Sequence, residues 1–263
     1  MEEWLRWRDQ NAWATDRAYV ADLVQWCRTR GVVSSYLGPI PPERVAIGDA
    51  NFRESFRAGG FNPRLRAVLD ALADDPPAGA APAGLRIYAP EATTPFALAL
   101  RGRYPRFWGS EYLPDPEDRR RHFPIPHEDL ARLSFPDAAF DVVVCNEVFE
   151  HVPALDAALG EIARVLRPGG VLLATFPFAY NQYETIVKAV LRGGEVHHLT
   201  DPEYHPNPVD PRGSLVYQIP GWDVLDLTRK QGFSRAENRF VSSRVRGICA
   251  TELAGIFLMR AVR

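Results

Sequence analysis

With 263 residues and a mass of 29.5 kDa, the chain is long enough for one large domain or two small ones. Hydrophobic residues make up 46% and charged residues 24%, a balance that excludes a mostly disordered chain. The formal charge is −2, from 31 Lys and Arg against 33 Asp and Glu, so bulk charge gives no support to a nucleic-acid binder. Cys27, Cys145 and Cys249 lie far apart without metal-ligand spacing, and their odd number speaks against a disulfide framework. The N-terminus mixes both charges from its first turn, and no apolar run reaches the ~18–20 residues that a membrane span needs. A cytoplasmic protein with no membrane contact is expected.

Residues 1–31 read as helix, with Val20, Leu23, Val24 and Cys27 on one stripe and Gly31 as the stop. Four of the six tryptophans (Trp4, Trp7, Trp13, Trp26) sit in this stretch. They would pack the helix onto the body or onto a second copy as a homodimer; a lid with aromatic faces is the sharper reading. Residues 32–61 are rich in Gly and Pro and read as irregular. Asn62-Pro63 then opens a helix through Leu72, with Asn as cap and Pro in the first turn. Residues 76–84 (PPAGAAPAG) form the clearest linker.

Beyond it, short apolar strands alternate with amphipathic helices, the pattern of a parallel α/β sheet. Strands are expected at Leu85–Ala89, Arg106–Tyr112, Phe140–Asn146 and Val171–Phe176. Leu155, Leu159, Ile162 and Leu166 mark one buried helix face, ended by Arg167-Pro168-Gly169-Gly170. Residues 195–210 hold three of the six histidines (His197, His198, His205) and are too rich in proline for regular structure. A metal site there is weighed against a polar substrate wall of Tyr204 and His205. The loose spacing favours the wall, and no metal is assigned. A helix from Gly221 towards Gly232 and a closing antiparallel strand at Gly255–Val262 complete the chain.

The run from Leu133 to Phe178 joins an acidic Phe-Pro-Asp turn, a buried strand, a Glu-His pair, a helix, Leu-Arg-Pro-Gly-Gly and another strand, in that order. It resembles the second half of a class I S-adenosylmethionine-dependent methyltransferase, of the type-11-like kind, and the resemblance is good over about residues 85–180. It implies a Rossmann-like, seven-stranded, mostly parallel sheet with helices on both faces. Residues 1–75 would then be a helical extension or cap and residues 85–263 the cofactor-binding domain. The cofactor would be S-adenosyl-L-methionine, seated at the carboxyl ends of the strands.

By the same resemblance Glu111 grips the ribose hydroxyls, Asp129 accepts from the adenine amino group and Leu130 offers it a backbone N–H. Asn146 and Glu147 face the methionine and its methyl group. The glycine-rich loop of the family is degenerate: Pro90, Ala92 and Thr94 stand where three glycines are expected. Glu91 would replace the missing acid as partner of the methionine ammonium, with Thr93 or Thr94 donating to its carboxylate. His151, beyond the Asn146 strand, is the candidate base for the acceptor's proton; shaping the pocket wall is its plainer role. The partner implied is a small-molecule methyl acceptor carrying oxygen or nitrogen, such as a sugar or secondary metabolite. The degenerate loop leaves a second class open, a cofactor-binding relative that does not transfer methyl.

Overall fold

The structure is a computed structural model describing residues 1–77 and 81–263. The chain divides into two compact units, Met1–Pro76 with Asn238–Leu258, and Pro77–Glu237 with Met259–Arg263. The break near residue 76 coincides with the start of the expected linker, whose residues 78–80 lie outside the described ones. Residues 238–258, read from sequence as part of the second domain, group with the first unit.

In the first unit the expected single helix is two, α1 (Glu2–Gln10) and α2 (Arg17–Arg30), with a 3-10 turn at Ala12–Thr15 between them. The chain breaks because Asn11 leaves helical geometry (φ −129°) and Asp16 starts a new cap, its carboxylate accepting from Ala18 N at 2.8 Å. Gly31 ends α2 at φ 75°, a conformation open to glycine. Residues 32–61 are more regular than expected: Val32–Ser34 pairs with Gly38–Ile40, and Val45–Ile47 with Phe56–Ala58. Helix α3 (Pro63–Asp74) opens as foreseen, with the Asn62 side chain accepting from Leu65 N. The core gathers Val20, Leu23, Val24, Cys27, Val32, Ile40, Phe56, Ala58, Cys249 and Ala254. Trp4, 6% exposed, stacks on Trp7 and meets Phe240 and Phe257 within the same unit.

The second unit is built on a six-stranded sheet rather than the expected seven. Its strands are β1 (Arg86–Ala89), β2 (Arg106–Gly109), β3 (Phe140–Asn146), β4 (Leu166–Thr175), β5 (Arg235–Val241) and β6 (Ile256–Val262). Their spatial order is β5-β6-β4-β3-β1-β2; β2, β1, β3 and β4 run parallel, and β6 pairs antiparallel with β4. Strands β5 and β6 each change unit along their length. Outside β2 the sheet continues only as a parallel bridge between Glu111 and His127. Pro124 and Pro126 offer no N–H to a ladder there, which is why no full strand forms. Helices α4 (Pro95–Arg103), α5 (Leu155–Val165) and α6 (Asp223–Lys230) follow β1, β3 and the long excursion after β4.

That excursion corrects the reading of residues 195–210 as irregular. Ala189–Arg192 and Glu195–His198 form a hairpin, turned by Gly193 and Gly194 at φ 58° and 87°. Tyr204–His205 pairs with Ser214–Leu215. Among the described residues no helix is long and apolar enough to cross a membrane.

Asp141, at the start of β3, fixes the sheet's amino end. Its carboxylate accepts from Arg86 N at 2.8 Å, from the Arg86 guanidinium and from Arg167 Nε. Burial alone would raise its pKa, but the bonds from Arg86 and Arg167 outweigh burial and hold it below the usual carboxylate range. A depressed folded pKa contributes stability above the unfolded value of about 3.9, lost as pH falls through the folded value. Asp141→Asn should therefore lower stability by about 1–3 kcal/mol at pH 7. Urea midpoints of variant and wild type should converge below pH 4; a gap that persists there would refute the assignment.

Candidate functional site

Four parallel strands end on the same edge, and the loops that leave them carry the candidate residues. Beyond β1 the chain enters Pro90–Thr94, and Thr94 caps α4, its hydroxyl accepting from Ala97 N at 3.1 Å. That hydroxyl also donates to Glu91 Oε2, while Asn146 Nδ2, at the end of β3, donates to Glu91 Oε1 at 2.8 Å. Glu91, Thr94 and Asn146 thus form one network across two strand ends. Glu147 follows in a left-handed conformation, φ 52°, its N–H held by Thr175 O at 2.7 Å. For a non-glycine residue such a backbone is strained and is maintained by its surroundings.

Strand β2 stops at Gly109, short of the expected Tyr112, because Glu111 N turns to Pro126 O at 2.9 Å. Glu111 is 7% exposed. Its Oε1 accepts from Ala92 N at 2.9 Å, Thr93 N at 3.2 Å and Thr93 Oγ1 at 3.0 Å. The acid expected to meet only a ligand therefore also ties down the loop after β1, and Oε1 carries all three of these bonds. Thr93 and Thr94, the two candidate donors to the methionine carboxylate, donate here to Glu111 and Glu91. Asp129 sits in a tight turn, Oδ1 accepting from Ala131 N at 2.9 Å, and Leu130 beside it is buried.

The glycine that lets backbones approach here is on the neighbouring strand. A Cβ on Gly109 would stand 2.7 Å from Glu91 O and 3.1 Å from Ala92 Cα. Both are backbone atoms, so a methyl group must push the loop away. Gly109→Ala should cost about 1–3 kcal/mol of stability, read as a lowered midpoint in a denaturant melt; an unshifted midpoint would show that the loop yields freely.

The second cluster lies on Phe149–His151, a single 3-10 turn beyond β3. Glu150 is fully buried, with His151 Nε2 and His205 Nδ1 each 3.6 Å from its Oε1. The two rings meet edge to face, centroids 5.0 Å apart. Leu215 O lies 2.9 Å from His151 Nδ1, and Glu203 Oε1 lies 3.2 Å from His205 Nε2. Lys188 pairs with Glu203 in turn. Glu150 lifts the His205 pKa above the ordinary imidazole value against the burial that would lower it, and Glu203 adds to the lift.

His151 and His205 thus come together, 54 positions apart in the chain. Tyr204 does not join them: adjacent strand residues face opposite sides, and its side chain is 54% exposed. His197 and His198 lie exposed on the hairpin. Sequence reasoning assigned no role to Glu150 or Gly109 and placed Glu203 only among the acids of the 195–210 segment. Glu150 and Gly109 acquire their roles from segments distant in sequence, whereas Glu203 stands two residues from His205.

Residues 111–174 match a family described as a methyltransferase domain. Over 53 residues, 20% of this chain and 21% of the relative, the sequence is 49% identical to a probable S-adenosylmethionine-dependent methyltransferase of Mycolicibacterium smegmatis. Over 96 residues, 32% of this chain and 40% of the relative, it is 34% identical to a demethylmenaquinone methyltransferase of Deinococcus radiodurans. The chain spans well under half the length of these relatives. A solved S-adenosylmethionine-dependent methyltransferase of Mesorhizobium loti aligns at TM-score 0.45 and 18% identity, over 76% of this chain and 96% of that one.

Proposed function

We propose that this chain, a class I S-adenosylmethionine-dependent methyltransferase by the family its residues 111–174 match, moves a methyl group to an oxygen or nitrogen of a small molecule. The observation that carries the reading is the meeting of Glu91, Glu111 and Asn146 at the carboxyl ends of adjacent parallel strands. That donor set fits the cofactor: one carboxylate for an ammonium, one for a ribose diol, and an amide between. When bound, S-adenosyl-L-methionine supplies an electrophilic methyl on a sulfonium.

The chain's own residues would do the rest. Glu91, oriented by Asn146 and Thr94, holds the ammonium, and Glu111 accepts from the ribose hydroxyls through Oε2. Asp129 and the Leu130 N–H read the adenine edge. Asn146 and the strained Glu147 shape the methyl side, His151 takes the acceptor's proton at Nε2, and His205 contacts the acceptor.

Calorimetric titration of the wild type and of Glu111→Gln with S-adenosylmethionine and S-adenosylhomocysteine tests the reading. The amide oxygen can keep the bonds from Ala92 and Thr93, so the loop stays while the anionic partner of the diol goes. Charge-assisted bonds are worth about 1.5–3 kcal/mol each, so affinity should fall at least about tenfold. Absence of wild-type binding at millimolar cofactor would overturn the proposal. Tight binding without turnover on any acceptor would leave a cofactor-binding relative that does not transfer methyl.

A further inference from the structure

We propose that Glu150, His151 and His205 form a binding site for one divalent transition-metal ion of the zinc class. Their donor atoms all lie within 4.8 Å of one another. Glu150 is 0% exposed, yet neither carboxylate oxygen has a hydrogen-bond partner, although a buried carboxylate demands compensation. What faces it is two imidazole nitrogens at 3.6 Å, beyond hydrogen-bond reach.

The outer partners set the tautomers. Leu215 O holds the proton of His151 on Nδ1, and Glu203 holds that of His205 on Nε2. Each ring therefore turns its lone pair towards Glu150. One anion facing two lone pairs is an arrangement that a cation completes. Carbonyl and carboxylate partners behind the rings are the usual outer support of metal-bound histidine.

The spacing suits a small ion. For the two carboxylate–imidazole pairs, donors 3.6 Å apart and each about 2.1 Å from a common centre subtend about 118°, close to a trigonal angle, and a small inward shift of the rings brings all three donors onto one ion. Two imidazoles and a single carboxylate favour zinc, cobalt or iron over magnesium or calcium. The histidine side chains are 16% and 28% exposed, so solvent reaches the cluster and a further coordination position can take water or the acceptor. The site does not depend on methyl transfer itself, but an ion held at His151 Nε2 would take the lone pair that the general-base role needs, and the ion or its bound water would then draw off the acceptor's proton.

The test strips the full-length protein with a chelator and titrates it with Zn²⁺ and Co²⁺, without S-adenosylmethionine. One equivalent should bind per chain, with visible d–d absorption for cobalt and a raised melting temperature for zinc. Glu150→Gln should weaken binding at least about 100-fold, and Glu203→Gln, which removes only the charge of a half-buried outer partner, by about tenfold. A His197→Ala, His198→Ala double variant should bind as the wild type does. No stoichiometric uptake by the folded wild type, or equal affinity in folded Glu150→Gln and Glu203→Gln, would overturn the site and mean that the cluster holds only a proton. Because the readout is metal binding alone, that result would leave the methyl-transfer proposal standing.

Discussion

His151→Ala should lower turnover by about 10²–10⁴-fold, the range for loss of a general base, with affinity for S-adenosylmethionine nearly unchanged. The expectation rests on geometry. His151 spends Nδ1 on Leu215 O, which leaves Nε2 as the nitrogen able to accept a proton, and the ring is only partly exposed. Its neighbours are Leu215, Glu150 and His205, none of them part of the Glu91–Asn146 network or a partner of Glu111, so cofactor affinity has no reason to fall. Steady-state kinetics with titrations of both ligands checks this. A rise in the acceptor's KM at constant kcat would reduce His151 to a wall residue. His205→Ala should raise the acceptor's KM and leave cofactor binding intact; an equal loss of cofactor affinity in both variants would overturn the two-sided map. Metal titration of the same variants separates direct proton removal from the holding of a cation that draws the proton off.

Arg66→Met should destabilise the first unit by about 1–4 kcal/mol. Arg66 is fully buried, donating through Nη1 to Phe61 O at 2.5 Å and through Nη2 to Gly247 O at 2.6 Å, above the Phe56 ring. Burial lowers its pKa to about 10, while Cys249, Cys27 and Asp70 act in the other direction, so it stays charged at neutral pH. Methionine fills much of the volume but leaves Gly247 O without its donor, at a cost of about 1–3 kcal/mol, and strips Phe61 O of a charged donor, though Ala58 N still pairs with it. Nor can Gly247 adapt easily: at φ 60°, a Cβ there would stand 2.9 Å from both Phe56 Cζ and Val32 Cγ1. Tryptophan fluorescence in a denaturant melt follows this unit, which contains Trp4, Trp7, Trp13 and Trp26. The exposed pair Arg17–Glu252 supplies the control, since Arg17→Ala should cost less than about 1 kcal/mol. An Arg66→Met effect no larger than that control would show that the carbonyls find other donors.

Local chemistry made several elements readable without a structure. Strand β3 runs over Phe140–Asn146 as expected, because an unbroken apolar run between turn residues suits a strand buried on both faces. Asn62 and Gly31 acted as cap and stop because each satisfies the backbone by itself. Glu111 and Asn146 were legible for the same reason, as polar residues placed where apolar strands end. What depends on a partner elsewhere in the chain was not legible. Pro124 and Pro126 leave a single bridge between Glu111 and His127 at the sheet's edge, and the Gly193-Gly194 turn drew residues 195–198 into a hairpin. Most of all, Glu150 and His151 meet His205 only because Tyr204–His205 pairs with Ser214–Leu215, and the Leu215 carbonyl then accepts a hydrogen bond from His151 Nδ1. Strand pairing chooses partners by packing across the fold. The composition of residues 195–210 could suggest polar chemistry, but only the tertiary structure selected one histidine of three and set it against a buried carboxylate.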